Sequence, residues 1–204
     1  MKTSLIILGA LGVLLLCLVG WFVVSYNGLV SLDENVQTQW SNLQSNYQRR
    51  ADLYATQLPV VVAASAQELA VFRELRKQAE ALGATLNNYE TAPTGAEAEQ
   101  VASQLAAFDA AVNNFTVYVA DNPEIVSAKL YSDFTVTIEG TENRINVARR
   151  DYNEAVRTFR TTVRSFPNVI FARILGMSPD KYVYFEAQEG VETVPTLVFP
   201  TPIP

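Results

Sequence analysis

The apolar positions of this chain recur at helical spacing along most of its length. An unbroken apolar run occupies residues 5–24, and beyond it apolar residues step by three or four positions through four further segments. This spacing is typical of helices that bury one stripe against each other. The first stripe begins directly after the run and ends at Leu58, before Pro59. We therefore predict one helix from the N-terminus to about Leu58, with Asn27-Gly28 as a point where it can bend.

Three further helices are predicted, over residues 60–89, 96–119 and 124–166. A Thr-Ala-Pro-Thr-Gly turn at 91–95 separates the first two, Asn122-Pro123 precedes the third, and Pro167 ends it. Because these connections are short, neighbouring helices should pack antiparallel. The predicted fold class is all-α: an N-terminal transmembrane helix continuous with an antiparallel up-down four-helix bundle, followed by an extended Pro-rich C-terminal tail.

The same patterns divide the chain into three parts. Residues 1–25 are predicted to form a transmembrane anchor, 26–166 a four-helix coiled-coil bundle, and 167–204 a short apolar segment and extended tail. The predicted helices have unequal lengths, with the first and last the longest. A projecting part of the last helix would need another chain, or the tail, to cover its stripe.

The apolar run is long enough to cross a bilayer core, since 20 residues of helix span roughly 30 Å. A cleaved signal peptide is the alternative, although its apolar region is usually shorter and ends at a small-residue site that WFVVSYNG lacks. Lys2 precedes the run, whereas the first basic residue after it is Arg49. This asymmetry predicts a single-pass membrane protein with a cytoplasmic N-terminus and its body outside the cytoplasm.

Composition restricts the chemistry that is available. The chain has no His and a single Cys, Cys17, which excludes internal disulfides, Cys/His zinc sites and His-dependent nucleophiles. The net charge of −6 argues against nucleic acid as a partner. Asp33 and Glu34 are adjacent on a helix and do not face each other, so we interpret them as a solvated face. We predict no catalytic residues, no metal site, no cofactor and no small-molecule substrate.

Arginines collect near the end of the last predicted helix, next to a short apolar segment. If successive helices alternate in direction, this end lies near the bilayer, where Arg side chains meet anionic headgroups and apolar residues enter the interface. The alternative is a solvated face with the segment folded back over the bundle. The candidate contacts with a membrane surface or partner are Arg157, Arg160, Arg164, Arg173, Ile170, Phe171 and Ile174.

The stretch EGTENRINVARRDYNEAVRTFRTTVRSFP (139–167) closely resembles the signature of the LemA family of bacterial membrane-anchored helical proteins. YNGLVSLDENVQTQWSNLQSNYQRRADL (26–53) looks like the opening helix of that family, and VPTLVF (194–199) resembles its apolar C-terminal end. The chain departs from the family pattern at Met177, where Phe is usual. The resemblance implies a membrane-anchored helical bundle in the cell envelope, without established catalytic activity.

The first functional hypothesis is a non-enzymatic membrane-anchored scaffold. It would self-associate through bundle faces and the tail into a homo-oligomer, as a ring or filament, with Leu197, Val198 and Phe199 as tail-docking residues. The second is an adaptor that presents the last predicted helix (124–166) and the tail to another membrane protein, such as a protease or signalling protein. A third, an enzyme that uses carboxylates alone, would need three or more acids in one pocket.

Overall fold

The computed structural model describes residues 2–63, 66–67 and 69–185, and helices make up most of them. The elements are α1 (Lys2–Asp52), a π-helical turn (Leu53–Gln57), α2 (Leu58–Val61), α3 (Ala70–Asn87), α4 (Ala96–Asp121), a 3₁₀ turn (Pro123–Ile125), α5 (Ala128–Arg164) and α6 (Asn168–Ile174). Within the described residues the β pairing consists of one isolated antiparallel bridge, Val62–Val126. The predicted all-α class with an N-terminal apolar helix is confirmed.

The apolar run and the first stripe share one helix, α1, which is 51 residues long. No proline occurs before Pro59, so the backbone ladder keeps every donor along α1. Ser25 and Leu29 are already buried, which means that packing holds the helix on both sides of Asn27-Gly28. The possible bend at this dipeptide does not interrupt the helix.

The structure differs from the sequence prediction around Pro59. The first helix was expected to end there and the next to run from residue 60 to 89. Instead, the Leu58 N–H bonds to the Leu53 carbonyl five residues back, and the helix continues through Pro59 to Val61. A π-helical turn just before a proline accommodates the missing N–H of that proline. The following helix begins only at Ala70.

A long-range backbone pairing explains where α2 ends. The Ala63 N–H donates to the Ile125 carbonyl at 2.8 Å, and the Ser127 N–H donates to the Val61 carbonyl at 3.1 Å. These bonds tie the end of α2 to the α4–α5 connection. They join residues far apart in sequence, so local periodicity gives no indication of them.

Antiparallel contacts connect the long helices. Trp40 of α1 meets Tyr152 of α5 with ring centroids 6.0 Å apart, and the Gln44 amide of α1 donates to the Leu86 carbonyl at the end of α3 at 2.6 Å. Phe72 of α3 contacts Phe115 of α4. The contacts of α1 with α5 move to earlier residues of α5 along the chain, from Trp40–Tyr152 to Arg50–Glu142, which is the antiparallel pattern. The contacts of α3 with α4 do the same, from Phe72–Phe115 to Gln78–Gln104. The buried seam of α1 consists of Leu29, Val36, Trp40, Leu43, Tyr47, Arg50 and Ala51.

The predicted apolar stripe of the last helix, which runs from Leu130 to Phe166, is buried except at its two ends. Leu130 is exposed, and its neighbour Tyr131 is buried instead. Phe166 is 81% exposed because α5 ends at Arg164 and the chain turns away from the core. The core therefore contains the middle of the stripe, from Phe134 to Val163.

Arg50, the charged member of the buried seam of α1, lies in the core between three helices. Its side chain is 4% exposed, with Nη1 2.7 Å from Asp109 Oδ1 of α4 and Nε 2.5 Å from Glu142 Oε1 of α5. In these two ion pairs, Arg50 Nε and Asp109 Oδ1 are close to their partners but do not have the geometry of a hydrogen bond. The guanidinium also lies 5.0 Å from the centroid of the Phe108 ring. Because a buried cation is costly without counter-charges, loss of either side of this Arg50 cluster, the guanidinium or its carboxylates, would leave a buried charge without its partner.

The Arg50 cluster has two carboxylates for one guanidinium. Burial raises the pKa of the Glu142 carboxyl above its ordinary value, Arg50 opposes the shift, and Asp109 adds to it. Asp109 by itself can neutralise Arg50, so the buried cation stays paired when Glu142 is protonated.

We predict that Arg50→Met lowers the free energy of unfolding by about 3–5 kcal/mol, because it leaves two carboxylates without their cation. The matched control is Arg76→Met, which removes an exposed ion pair with Glu80 and should cost no more than about 1 kcal/mol. Urea unfolding of the full chain in mild detergent, followed by far-UV circular dichroism, measures both. Equal small losses would contradict a folding role for the Arg50 cluster.

A second prediction concerns pH. Since the folded-state pKa of Glu142 lies above its unfolded value, the folded state binds this proton more tightly, and stability falls as pH rises through that interval. The wild-type protein should therefore gain stability relative to Glu142→Gln as pH falls from neutral towards the ordinary value of 4.5. Unfolding curves of the wild-type protein and Glu142→Gln at each pH test this, because the contributions of other titrating groups cancel in the difference between their free energies of unfolding. A wild-type protein that loses stability relative to the variant would show the sign to be wrong.

Candidate membrane-surface site and docked C-terminal segment

The short helix α6 lies against the far end of the apolar run. The Phe171 ring packs edge-on against Trp21 and Phe22, with centroids 5.1 and 5.3 Å away. Pro167 and Gly176 bound α6, and the positive φ of 68° at Gly176 suits the turn that follows a helix. Phe171, predicted as a membrane or partner contact, is thus partly buried against α1.

The other predicted apolar contacts face outward. Ile170 and Ile174 of α6 are exposed, as is Phe166 in the turn before it. These three side chains, and the partly exposed rings of Trp21 and Phe22 on which Phe171 packs, are apolar residues exposed at the junction of the run and the body. We call this set of residues the junction patch.

The four predicted arginines divide into two pairs. Arg157 donates to the Glu154 carboxylate at 2.6 and 2.8 Å. Arg160 donates to the Pro179 carbonyl at 3.0 Å, pairs with Asp180, and lies 4.8 Å from the centroid of the Tyr184 ring. Arg164 and Arg173, in contrast, are exposed beside the junction patch. The structure therefore leaves the latter pair closest to the apolar surface.

Residues 181–185, the docked segment, lie along α1 and α5 without regular secondary structure. Tyr182 and Phe185 are buried. The Phe185 ring stacks on Trp40 at 5.5 Å and contacts Tyr152 at the same distance, while Tyr182 packs against Phe159 at 5.2 Å. The docked segment thus completes the core between these two helices.

Side chains of α5 hold the backbone of the docked segment. Asn153 Nδ2 donates to the Phe185 carbonyl at 2.9 Å, and Asn153 Oδ1 accepts from the Phe185 N–H at 3.0 Å. The Tyr152 hydroxyl donates to the Val183 carbonyl at 3.2 Å. A single asparagine therefore satisfies both backbone groups of Phe185, as a neighbouring β-strand would.

Asp33 of α1 fixes the start of the docked segment. Its Oδ1 accepts from Lys181 Nζ at 2.7 Å and from the Tyr182 hydroxyl at 2.9 Å. Burial is the main cause that raises the pKa of the Tyr182 hydroxyl. The hydroxyl therefore stays protonated and can donate to Asp33. Gln37 donates to the same hydroxyl at 2.7 Å and accepts from the Ala92 N–H in the α3–α4 loop. The interpretation of Asp33 as a solvated face is wrong, because the segment that covers it comes from the other end of the chain.

The tail-docking residues Leu197, Val198 and Phe199 lie outside the described residues. The docked segment ends directly before that part of the chain, and its role was not predicted. The available signals were Tyr182 and Phe185, two large aromatic residues three positions apart after the Ser178-Pro179 turn. The described residues contain no group of three or more potential Asp, Glu or Cys metal ligands.

Together these features define an all-helical protein with one helix near its N-terminus, Gly9–Val61, that is long and apolar enough to cross a membrane; no other helix in the described part of the chain qualifies. The family model of the LemA family matches residues 39–199. The chain belongs to the LemA family, as the resemblance implied.

Curated relatives include two magnetosome proteins of Paramagnetospirillum magneticum, MamQ 2 and MamQ 1. Each is 25% identical to this chain over 180 residues, which cover 78% of this chain and 65% of the relative. Magnetosome protein MamQ of Magnetospirillum gryphiswaldense is 23% identical over 184 residues, with 79% and 65% coverage. The matches therefore span just under two thirds of the length of these relatives.

We predict that Phe185→Ala detaches the docked segment and exposes Trp40. The free energy of unfolding should fall by about 3 kcal/mol or more, as for other buried Phe→Ala changes. Quenching of tryptophan fluorescence by acrylamide should rise, since Trp40 is fully buried in the native protein. Val183→Ala, a truncation at an exposed position of the same segment, is the control and should change neither value appreciably. Unchanged quenching in Phe185→Ala would contradict the docking.

Proposed function

We propose that this protein is a non-enzymatic, membrane-anchored helical scaffold that self-associates. The observation that carries the proposal is the continuity of α1, which joins the apolar run to the central seam of the body in one helix. A membrane that holds the run thereby sets the orientation of the body. Copies anchored in one membrane would then present the same faces at the same height, which favours lateral association.

The proposed arrangement has residues 1–25 in the membrane, 26–166 as an antiparallel four-helix bundle, and 167–204 as an apolar segment and tail. The N-terminus lies in the cytoplasm and the body outside it, in keeping with Lys2 before the run and Asp33 and Glu34 after it. The antiparallel contacts between the long helices support the bundle.

A structural rather than catalytic role fits the use of the buried charges. The most deeply buried charge, Arg50, is paired with Asp109 and Glu142, which ties α1, α4 and α5 together. Asp33 is likewise engaged by Lys181 and Tyr182. Groups of this kind stabilise packing and are not free to act on a substrate. The names of the MamQ relatives associate those proteins with the magnetosome and specify no reaction.

Two features favour contacts with further chains. Val136 and Val147, three helical turns apart on α5, are both exposed. Gly140 lies on the same face, and a Cβ built there has no atom within 4 Å, so no helix among the described residues covers it. The second feature is the position of Phe185, the last described residue, which lies between α1 and α5 at the start of the tail. The same surfaces also suit the adaptor hypothesis, in which a different membrane protein covers them.

Truncation distinguishes the docked segment from the tail. A chain that ends at Phe185 keeps every contact of the docked segment and lacks Leu197, Val198 and Phe199. We expect the full-length protein in mild detergent to form a uniform oligomer by mass photometry, and the chain that ends at Phe185 to be monomeric with unchanged thermal stability.

Replacing Leu197, Val198 and Phe199 with serine in the full-length chain should reproduce the loss of assembly without shortening the protein. A chain that ends at Asp180 also loses the docked segment and should be less stable, which separates folding defects from assembly defects. A full-length protein that is monomeric and co-purifies with another membrane protein in stoichiometric amount would contradict the scaffold and favour the adaptor.

A further inference from the structure

The junction patch lies at the depth where a bilayer would end. The apolar run spans residues 5–24, and Trp21 and Phe22 lie within its last turn. At about 1.5 Å per residue these two rings are within roughly 5 Å of the end of the run. Because Phe171 packs directly on both rings, α6 is held at the same level. Tryptophan at this position is also typical of the membrane–water interface.

The orientation of α6 divides its residues between the protein and its surroundings. Ala172 is buried, and Phe171 and Leu175 pack against the core, so one side of the short helix is occupied by the body. Ile170 and Ile174 point away from it, and Phe166 in the preceding turn is exposed with them. No described part of the chain covers these three side chains.

The charges near the junction patch have one sign. From Ala155 to Pro179 the chain contains arginines and no acidic residue, and the stretch of α1 from Ser25 to Leu32 is uncharged. Arg157 is paired with Glu154, and Arg160 contacts the Pro179–Asp180 turn. The exposed cations beside the patch are therefore Arg164 and Arg173. Apolar side chains flanked by arginine are the pattern of a helix that lies in an anionic membrane surface.

We propose that α6 is a second membrane contact: Phe166, Ile170 and Ile174 insert into the interface of the same bilayer that holds the apolar run, and Arg164 and Arg173 bind its acidic headgroups. This inference rests on the proposed membrane span. With two attachment points, the run and α6, the body is fixed in tilt and rotation as well as in height.

Site-specific labelling of the full-length protein tests this contact. Cys17 is the only cysteine, so Cys17→Ser provides a background in which Ile174→Cys or Val136→Cys carries an environment-sensitive fluorophore. The two positions are matched, since Ile174 is 68% and Val136 66% exposed, and Val136 lies at the other end of the body from α6. The third sample is the native chain labelled at Cys17, which reports on the run itself. Each is reconstituted in vesicles of phosphatidylcholine with phosphatidylglycerol, with and without brominated lipid as a quencher.

We expect brominated lipid to quench the label at 174 several-fold more than the label at 136, with a blue-shifted emission at 174. The label at Cys17 should be strongly quenched. Arg164→Gln with Arg173→Gln should reduce the quenching at 174, and so should omission of phosphatidylglycerol. Circular dichroism of each variant confirms that the helices are retained.

Quenching at Cys17 but equally weak quenching at 174 and 136 would overturn the inference and leave the membrane span intact. Absence of quenching at Cys17 would instead contradict the span itself. A blue shift at 174 that resists brominated lipid and grows with the number of proteins per vesicle would mean that a second copy covers the patch. That result also overturns the proposed lipid contact.

Discussion

The continuity of α1 is the constraint on which the rest of the structure depends. Each of α3, α4, α5 and α6 contacts this helix, and so does the docked segment. Its apolar run and its buried seam follow one another without a proline or a change of helix type until Leu53. The surface that builds the core is therefore a direct extension of the segment proposed to cross the membrane, and no linker separates them.

Two polar arrangements distinguish this packing from a purely apolar bundle. The Arg50 cluster selects the register of α1, α4 and α5, because only one alignment brings both carboxylates to the guanidinium. Asn153 and Asp33 select the path of the docked segment, because they satisfy its backbone and its Lys181 and Tyr182 side chains. Such interactions contribute less to stability than to specificity, since an unpaired partner would be costly to bury. These two sets of polar contacts therefore hold the body in one arrangement, one set near Arg50 of α1 and the other near Asp33 of α1.

Periodicity predicted the helices well, because their stripes are long and regular; Val36, Trp40, Tyr152 and Phe159 are all fully buried, as their spacing indicates. It could not reveal the Val62–Val126 bridge, the partners of Arg50 or the covering of Asp33, which all join residues distant in sequence. The candidate site was predicted only in outline. The sequence indicates that the four arginines lie near the end of the last long helix. Only the folded chain distinguishes Arg157 and Arg160, which have partners in the protein, from Arg164 and Arg173.

Hydrogen exchange of backbone amides in the full-length protein, reconstituted in lipid nanodiscs, tests the continuity of α1 most directly. We expect uninterrupted protection from the apolar run through Asn27-Gly28 to Asp52, with no peptide in residues 20–35 exchanging faster than its neighbours in the body. Rapid exchange confined to Asn27-Gly28 would show a flexible joint between the run and the body. The orientation of the body would then be independent of the run, which contradicts a continuous α1.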